Sequence, residues 1–371
     1  MASSARPQYL KPQSDQRSAR REFHLGLFNP TDGVAGMWGP STMSSALMAI
    51  EEVNANGGIN GRLITWHTYS ADDEADVCMN AEHALQIRKV DAIVGMHTSS
   101  VRSIIRKLTK GTVPYVYTPL YEGGESTPGV YAIGETPDRQ LKPAIRLLVE
   151  RYRARKWMLL GNDYVWPRRS HALARKYLKD SGGEVQTEVY LGIGKGPGQQ
   201  NFEEVFERIE HIKPDAILIS LVGQDAIDFN REFGRRKLSK KIIRLSCAIE
   251  ENGLLAIGAN NTEGLFVSSG YFASLRSEAN MSFVERYHDR FGERAPPLNS
   301  IGQSTYEGVH FLAALASKCL SEHQAMALSH VADLRFHSVR GTTFRNRTVE
   351  SSPIYLAEAQ GHLFQVLNHL A

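Results

Sequence analysis

Cysteine is scarce in this sequence: Cys78, Cys247 and Cys319 are the three in 371 residues, odd in number and widely spaced. That spacing fits neither a disulfide framework nor a structural zinc site, and it predicts a reducing compartment. Charge of one sign is lacking as well, since 43 Lys and Arg face 40 Asp and Glu for a formal +3. So small a balance excludes strong sequence-independent phosphate binding over the whole surface; a nucleic-acid partner would have to be bound locally. No stretch approaches the ~18 consecutive apolar residues of a spanning helix. The polar, basic residues 1–21 contain no apolar h-region. Together these absences predict a soluble, cytoplasmic chain with a disordered tail over residues 1–21.

The common signatures of chemistry are missing too. No His-Glu-x-x-His occurs, and Glu207 with His211, one helical turn apart, reads as a surface pair. The glycine-rich segment Leu191 to Gly198 fails as a dinucleotide fingerprint because the third required glycine falls on Pro197 or Gln199. It also lacks the spacing of a P-loop and reads as a surface loop. Gly39-Pro-Ser-Thr-Met43 and Gly302-Gln-Ser-Thr-Tyr306 lack the second glycine of a nucleophile elbow and read as helix N-caps. The basic run Arg235-Arg236-Lys237 suits a solvated helix end and has no interleaved aromatics to stack bases. The reading is therefore of a chain without metal or cofactor.

What is present is enough apolar residue, 42%, to build about two domains at ~150 residues each. From Phe23 short β-branched or aromatic runs alternate with segments of helical period, the pattern of parallel sheets covered by helices. Strands are predicted at 23–28, 62–69, 90–96 and 113–118, with helices after Ser41, over 76–89 and over 99–110. A Gly- and Pro-rich loop, Tyr121 to Pro137, separates this half from a second one. There helices over 141–152, 170–180, 202–212 and 226–233 alternate with strands over 157–161, 184–191, 215–222, 242–247 and 264–269. Helices over 278–291 and 304–319 and a hairpin over 354–366 complete the chain. The fold class expected is α/β, two doubly wound lobes with a cleft at the carboxyl ends of their strands. Lobe 1 is assigned residues 22–134 and 270–338, and lobe 2 residues 135–269 and 339–371.

Unusual chemistry concentrates at those strand ends. The strand 90–96 runs into His97-Thr98-Ser99-Ser100, hydroxyls at a helix N-terminus whose free donors suit a carbonyl or carboxylate oxygen. The next strand ends in Tyr117-Thr118-Pro119, followed by Tyr121-Glu122-Gly123. In the second half the strand 157–161 ends in Asn162-Asp163-Tyr164-Val165-Trp166-Pro167-Arg168. Hydroxyls facing aromatics at equivalent strand ends describe a small, polar-lined, aromatic-walled pocket.

The segments 94–102, 121–125, 161–168 and Ser220-Leu221-Val222-Gly223 resemble the amide and urea branch of the type I periplasmic-binding-protein superfamily. Within it the chain looks most like the cytoplasmic amide-sensing negative regulators of aliphatic amidase operons, which have relatives regulating nitrile hydratase genes. The resemblance covers about residues 22 to 366. It implies a closed cleft around a small neutral amide or urea, with Ser99 and Tyr117 from one lobe and Tyr164 and Ser246 from the other. Thr98, Pro119, Val222 and Gly223 belong to the same implied ligand set. His97 and Trp166 stand where the regulators have Tyr, so His97 offers a donor to a larger or more polar ligand and Trp166 reshapes the apolar wall. The resemblance also implies a partner, an RNA-binding antiterminator released when amide binds, with no direct nucleic-acid or membrane contact; a homo-oligomer stays open. The alternative is a substrate-binding component of a urea, short-amide or branched-chain amino acid ABC transporter. A third reading is an amide hydrolase using His97 and a nearby serine. An amino acid ligand would need an anchor for its ammonium, for which Glu250 and Asp225 are the candidates.

Overall fold

The computed structural model describes residues 22–194, 196–321, 334, 336, 338–345 and 348–370. The expected tail over 1–21 lies outside them.

Among the described residues the chain forms two large sheets and a separate two-stranded one. In the first, β1 (Glu22–Asn29), β2 (Leu63–Ser70), β3 (Ala92–Gly95), β4 (Tyr115–Tyr117) and β5 (Val130–Ala132) are all parallel, in the order β2-β1-β3-β4-β5. In the second, β6 (Lys156–Asn162), β7 (Glu184–Leu191), β8 (Ala216–Ser220), β9 (Ile243–Ser246) and β10 (Leu265–Ser269) are parallel. An antiparallel pair, β13 (Tyr355–Gln360) and β14 (Leu363–His369), extends it to the order β14-β13-β10-β9-β8-β6-β7. The inner strands β3 and β8 are buried at every residue, because a parallel sheet covered on both faces leaves no side to water.

Helices α1 (Gly39–Ala55), α2 (Glu74–Glu82) and α3 (Ser99–Thr109) cover the first sheet, helped by α9 (Glu278–Phe291) and α10 (Ser300–Ser321). The second sheet is covered by α4 (Pro137–Tyr152), α5 (Val165–Ser181), α6 (Glu203–Ile212), α7 (Gly223–Arg235) and α8 (Glu251–Ile257). The chain passes between lobes at 133–136, at 270–277 and at 352–354. In each sheet one strand, β1 or β6, has neighbours reached by crossovers on opposite sides. Side chains at the carboxyl ends of those strands and their neighbours therefore open into a crevice.

Two expectations are corrected. The loop 121–137 contains β5, three buried residues between its glycines. Residues 339–345 and 348–351 pack with the first lobe, not the second: Val339 and Phe344 join the core of Tyr131, Phe311 and Leu312, and the strands β11 (Thr343–Arg345) and β12 (Thr348–Ser351) pair there. Phe344 rests on Phe311 at 4.7 Å between ring centroids. Only from about residue 352 does the chain join the second lobe.

At the crossovers sits a buried ionic cluster. Arg340 is held by Glu307 of α10 through Nε and Nη2 at 3.0 and 2.9 Å, and its Nη1 donates to Glu135 of the first crossover. Gly270, opening the second crossover, leaves room for this cluster, since a Cβ there would lie 2.1 Å from the Glu135 carboxylate. Arg139 of α4 donates to the carbonyls of Glu350 and Ser352, pinning the third crossover.

Candidate functional site: a cavity between the lobes

The strand ends of both sheets meet around a cavity of about 30 Å³. Lobe 1 supplies Trp38, His97, Thr98, Ser99, Tyr117 and Pro119 with Met96, Leu120 and Ile301; lobe 2 supplies Tyr164, Trp166, Val222 and Ala248. Most of this wall is buried, and Val34, Trp38, Met96, Trp166, Val222, Ala248 and Ile301 form one apolar cluster spanning both lobes. No Asp, Glu, Lys or Arg lines it.

Each polar group arrives at the end of a strand for a local reason. After β3 the backbone turns at Thr98, extended at φ −67° and ψ 159°, to start α3. No side chain caps the start of α3, of α5 (after Tyr164) or of α7 (after Val222). Three helix N-termini thus begin at the cavity with N–H groups that no side chain caps, an arrangement suited to an acceptor oxygen.

Gly95 makes room for the His97 ring, because a Cβ at that position would meet its Nε2 at 2.5 Å. That ring is fully engaged. Nδ1 lies 3.1 Å from the Thr98 carbonyl, which can only accept, so Nδ1 carries the proton and Nε2 accepts from the Tyr115 hydroxyl at 3.0 Å. Burial holds the imidazole neutral, its pKa pushed down to about 3. His97 therefore has no spare donor for a ligand and no bond to Ser99, which removes both its expected donor role and the serine–histidine pair of a hydrolase.

Tyr117 is also largely committed. Its hydroxyl donates to the His97 carbonyl at 2.8 Å and lies 3.5 Å from Ser99 Oγ. Behind it Arg102 stacks over the Tyr117 and Tyr121 rings and bonds Glu122 at 2.6 Å. The Tyr164 hydroxyl makes no protein hydrogen bond among the described residues, and burial raises its pKa so that it stays a donor. The groups left for a ligand are the hydroxyls of Ser99 and Tyr164 and the backbone at the helix starts.

Eight of the ten residues singled out by sequence line the cavity: His97, Thr98, Ser99, Tyr117, Pro119, Tyr164, Trp166 and Val222. Ser246 does not. It is fully buried in β9, where its Oγ accepts from the Ala248 N–H at 3.2 Å, and Ala248 faces the cavity instead. Gly223 does not either; its place is at the interlobe contact, where a Cβ would be 1.8 Å from the Val34 carbonyl oxygen. Neither candidate ammonium anchor faces the cavity. Asp225 accepts from Asn162 at 2.7 Å and from the Gly194 N–H at 3.0 Å, tying down the glycine-rich loop. Glu250 accepts from Trp38 Nε1 at 2.7 Å, across the lobes. Trp38, Met96, Leu120, Ala248 and Ile301 escaped sequence reasoning; the tryptophan just before Gly39-Pro40 was the one local signal.

Among the described residues no group of His, Cys, Asp and Glu side chains is placed to hold a metal ion, and no helix is long and apolar enough to cross a membrane.

The chain matches the periplasmic binding protein family over residues 22–362. Solved structures share its fold at low identity. A solute-binding protein of an ABC transporter from Rhodopseudomonas palustris HaA2, in complex with p-hydroxybenzoic acid, superimposes with a TM-score of 0.82 at 16% identity over 94% of this chain and 96% of that one. A solute-binding protein from R. palustris in complex with benzoate gives 0.78 at 15% identity, covering 94% and 96%. A branched-chain amino acid transporter substrate-binding protein from Streptococcus pneumoniae, in complex with isoleucine, gives 0.78 at 17% identity, covering 93% and 99%.

Proposed function

Because the chain belongs to the periplasmic binding protein family, we propose that it is a non-catalytic receptor whose lobes close on a small uncharged amide or urea. The observation that carries this reading is the cavity itself: it is small, walled by both lobes, and lined without a formal charge. At ~10–15 Å³ for each water-sized group it takes about two or three of them, nearest to the small size of urea or acetamide and far short of the ring and carboxylate of a benzoate. An amino acid's ammonium would find no carboxylate there, and a buried unpaired charge is strongly disfavoured. An amide oxygen suits the helix N-termini and the Tyr164 hydroxyl. An amide N–H suits Ser99, whose oxygen can accept. The ligand works by population shift: contacts to both lobes favour the closed state only by their differential affinity for it.

For the use of that binding, the solved neighbours favour delivery to an ABC importer. The segments 121–125 and 161–168 favour the second reading, a sensor that regulates amidase or nitrile hydratase genes through an RNA-binding antiterminator. Isothermal titration with acetamide, propionamide, urea, benzoate and isoleucine tests the receptor. Saturable binding of an amide or urea without ammonia release is expected. Binding of benzoate or isoleucine with no response to any amide or urea would overturn the reading. Ligand-dependent co-purification with a permease or with an antiterminator then separates the two uses.

A further inference from the structure

The small net charge of the chain conceals a strong local imbalance. Residues 138–180 carry twelve Lys and Arg against four Asp and Glu, a net +8 in a chain whose total is +3, which leaves the remainder at −5. This segment spans α4, β6 and α5. The two helices pack side by side on one face of the second sheet, through Leu141, Ile145 and Leu148 of α4 and Ala174, Tyr177 and Leu178 of α5. Their outer sides form one continuous surface, bonded across by the Tyr177 hydroxyl and Asp138.

Few of these cations are neutralised. Arg146 pairs with Glu150, Arg168 with Asp163 and Arg175 with Glu188. Lys142 and, beyond the end of α4, Arg153, Arg155 and Lys156 are exposed and have no ion pair among the described residues. The same holds for Arg169, Lys176 and Lys179 along α5. Beside α4 runs an open groove of about 510 Å³, in which Arg139, Lys142, Arg146 and Arg151 outnumber the carboxylates of Asp138 and Glu150.

We propose that this α4–α5 face is a docking surface for the phosphate backbone of a nucleic-acid duplex. Charge complementarity to a polyanion is the first argument. The second separates nucleic acid from a protein partner. Protein interfaces are anchored by exposed aromatic and aliphatic side chains, and the large exposed apolar residues, such as Leu63, Trp66, Met79 and Ile87, all lie elsewhere. Interfaces with nucleic acid are polar and positively charged. The third argument selects a duplex: single strands are held by aromatic platforms, which this face does not expose. At ~1.5 Å per residue α4 and α5 are each about 25 Å long, enough to follow several successive phosphates. Contacts of this kind position without reading sequence. The inference is independent of the amide reading, since none of these residues touches the cavity.

The test is fluorescence anisotropy of the full chain with a duplex RNA and a duplex DNA of matched sequence, over a range of salt, with anionic phospholipid vesicles as a competing polyanion. The expected result is micromolar duplex binding at low salt, with log affinity falling against log salt at a slope of about −3 or steeper. The variant Lys142→Glu, Arg169→Glu, Lys176→Glu, Lys179→Glu should weaken binding at least about tenfold while its amide titration and thermal melt stay unchanged. Affinity for neither duplex, affinity unaltered in the variant, or preference for the vesicles would overturn the proposal. The two duplexes compared side by side identify which helical form the face takes.

Discussion

Gly223 tests whether lobe closure drives ligand binding. Its α-carbon opens α7 at φ +50°, and an added Cβ would lie 1.8 Å from the Val34 carbonyl oxygen on the opposite lobe. Ordinary contact needs close to twice that distance, so Gly223→Ala requires the lobes to part locally by roughly 1.5 Å. The obstructing atom is backbone and cannot rotate aside. Overpacking of this size costs about 1–3 kcal/mol, which in the closed state alone weakens binding by roughly 5- to 150-fold. The left-handed φ adds about 1 kcal/mol of strain in open and closed states alike, so it lowers the melting temperature without entering the affinity. Titration calorimetry of both proteins with propionamide, alongside small-angle scattering with and without ligand, reads the effect. The variant is expected to stay more open at saturating ligand. Wild-type affinity together with wild-type compaction in Gly223→Ala would refute the closure argument.

Other predictions follow from the same geometry. Glu250 is buried between the lobes, and burial pushes its pKa up to about 8, whereas the opened cleft returns it toward the usual 4.5. Closure thus takes up a proton between those values, and ligand affinity should fall as pH rises from about 5 to about 8, by at most tenfold per unit, then level off. Glu250→Gln should flatten that slope, leaving only what neighbouring Glu251, raised to about 7 and accepting from the Ala273 N–H of the second crossover, contributes; calorimetry in buffers of different ionisation enthalpy counts the proton, and an unchanged slope in the variant would contradict the assignment. Tyr164→Phe removes one ligand hydrogen bond and should cost about 0.5–1.5 kcal/mol of amide affinity, measured by titration, with no loss in thermal stability. Glu307→Gln leaves the buried Arg340 short of its main counter-charge and should destabilise the fold by about 3 kcal/mol, read as a lower urea midpoint.

Much of this architecture was legible in periodicity, because buried parallel strands are short apolar runs and their helices are amphipathic. β5 escaped because Val130 to Ala132 is too short to show a period and is surrounded by turn residues whose conformations dominate the local signal. The expected second-lobe span of 339–371 begins too early because the packing partners of Val339 and Phe344, Tyr131 and Phe311, are distant in sequence. Most of the cavity wall lies at the strand ends read from the sequence, because the crevice of a doubly wound sheet follows from its topology. Side-chain roles within the wall were less accessible. His97 looks like a spare donor until Tyr115 and the Thr98 carbonyl are seen to occupy its two nitrogens. Ser246 and Ala248 exchange roles through a single bond between the serine hydroxyl and the Ala248 N–H, which no spacing rule reveals.

The ionic cluster of Arg340, Glu135 and Glu307 bears on what a bound ligand can communicate. With one guanidinium anchored on α10 and fastened to the first crossover, with Gly270 pressed close beside it, and with Arg139 clamping the third, the connecting segments cannot twist independently. A swing of the second lobe then has to turn all three connections together, as a door on three hinges turns about one pin. Ligands of different size then differ in how often they hold the door shut, not in the angle at which it stands. Any partner that reads the closed form receives an all-or-none message, with ligand identity encoded in occupancy alone.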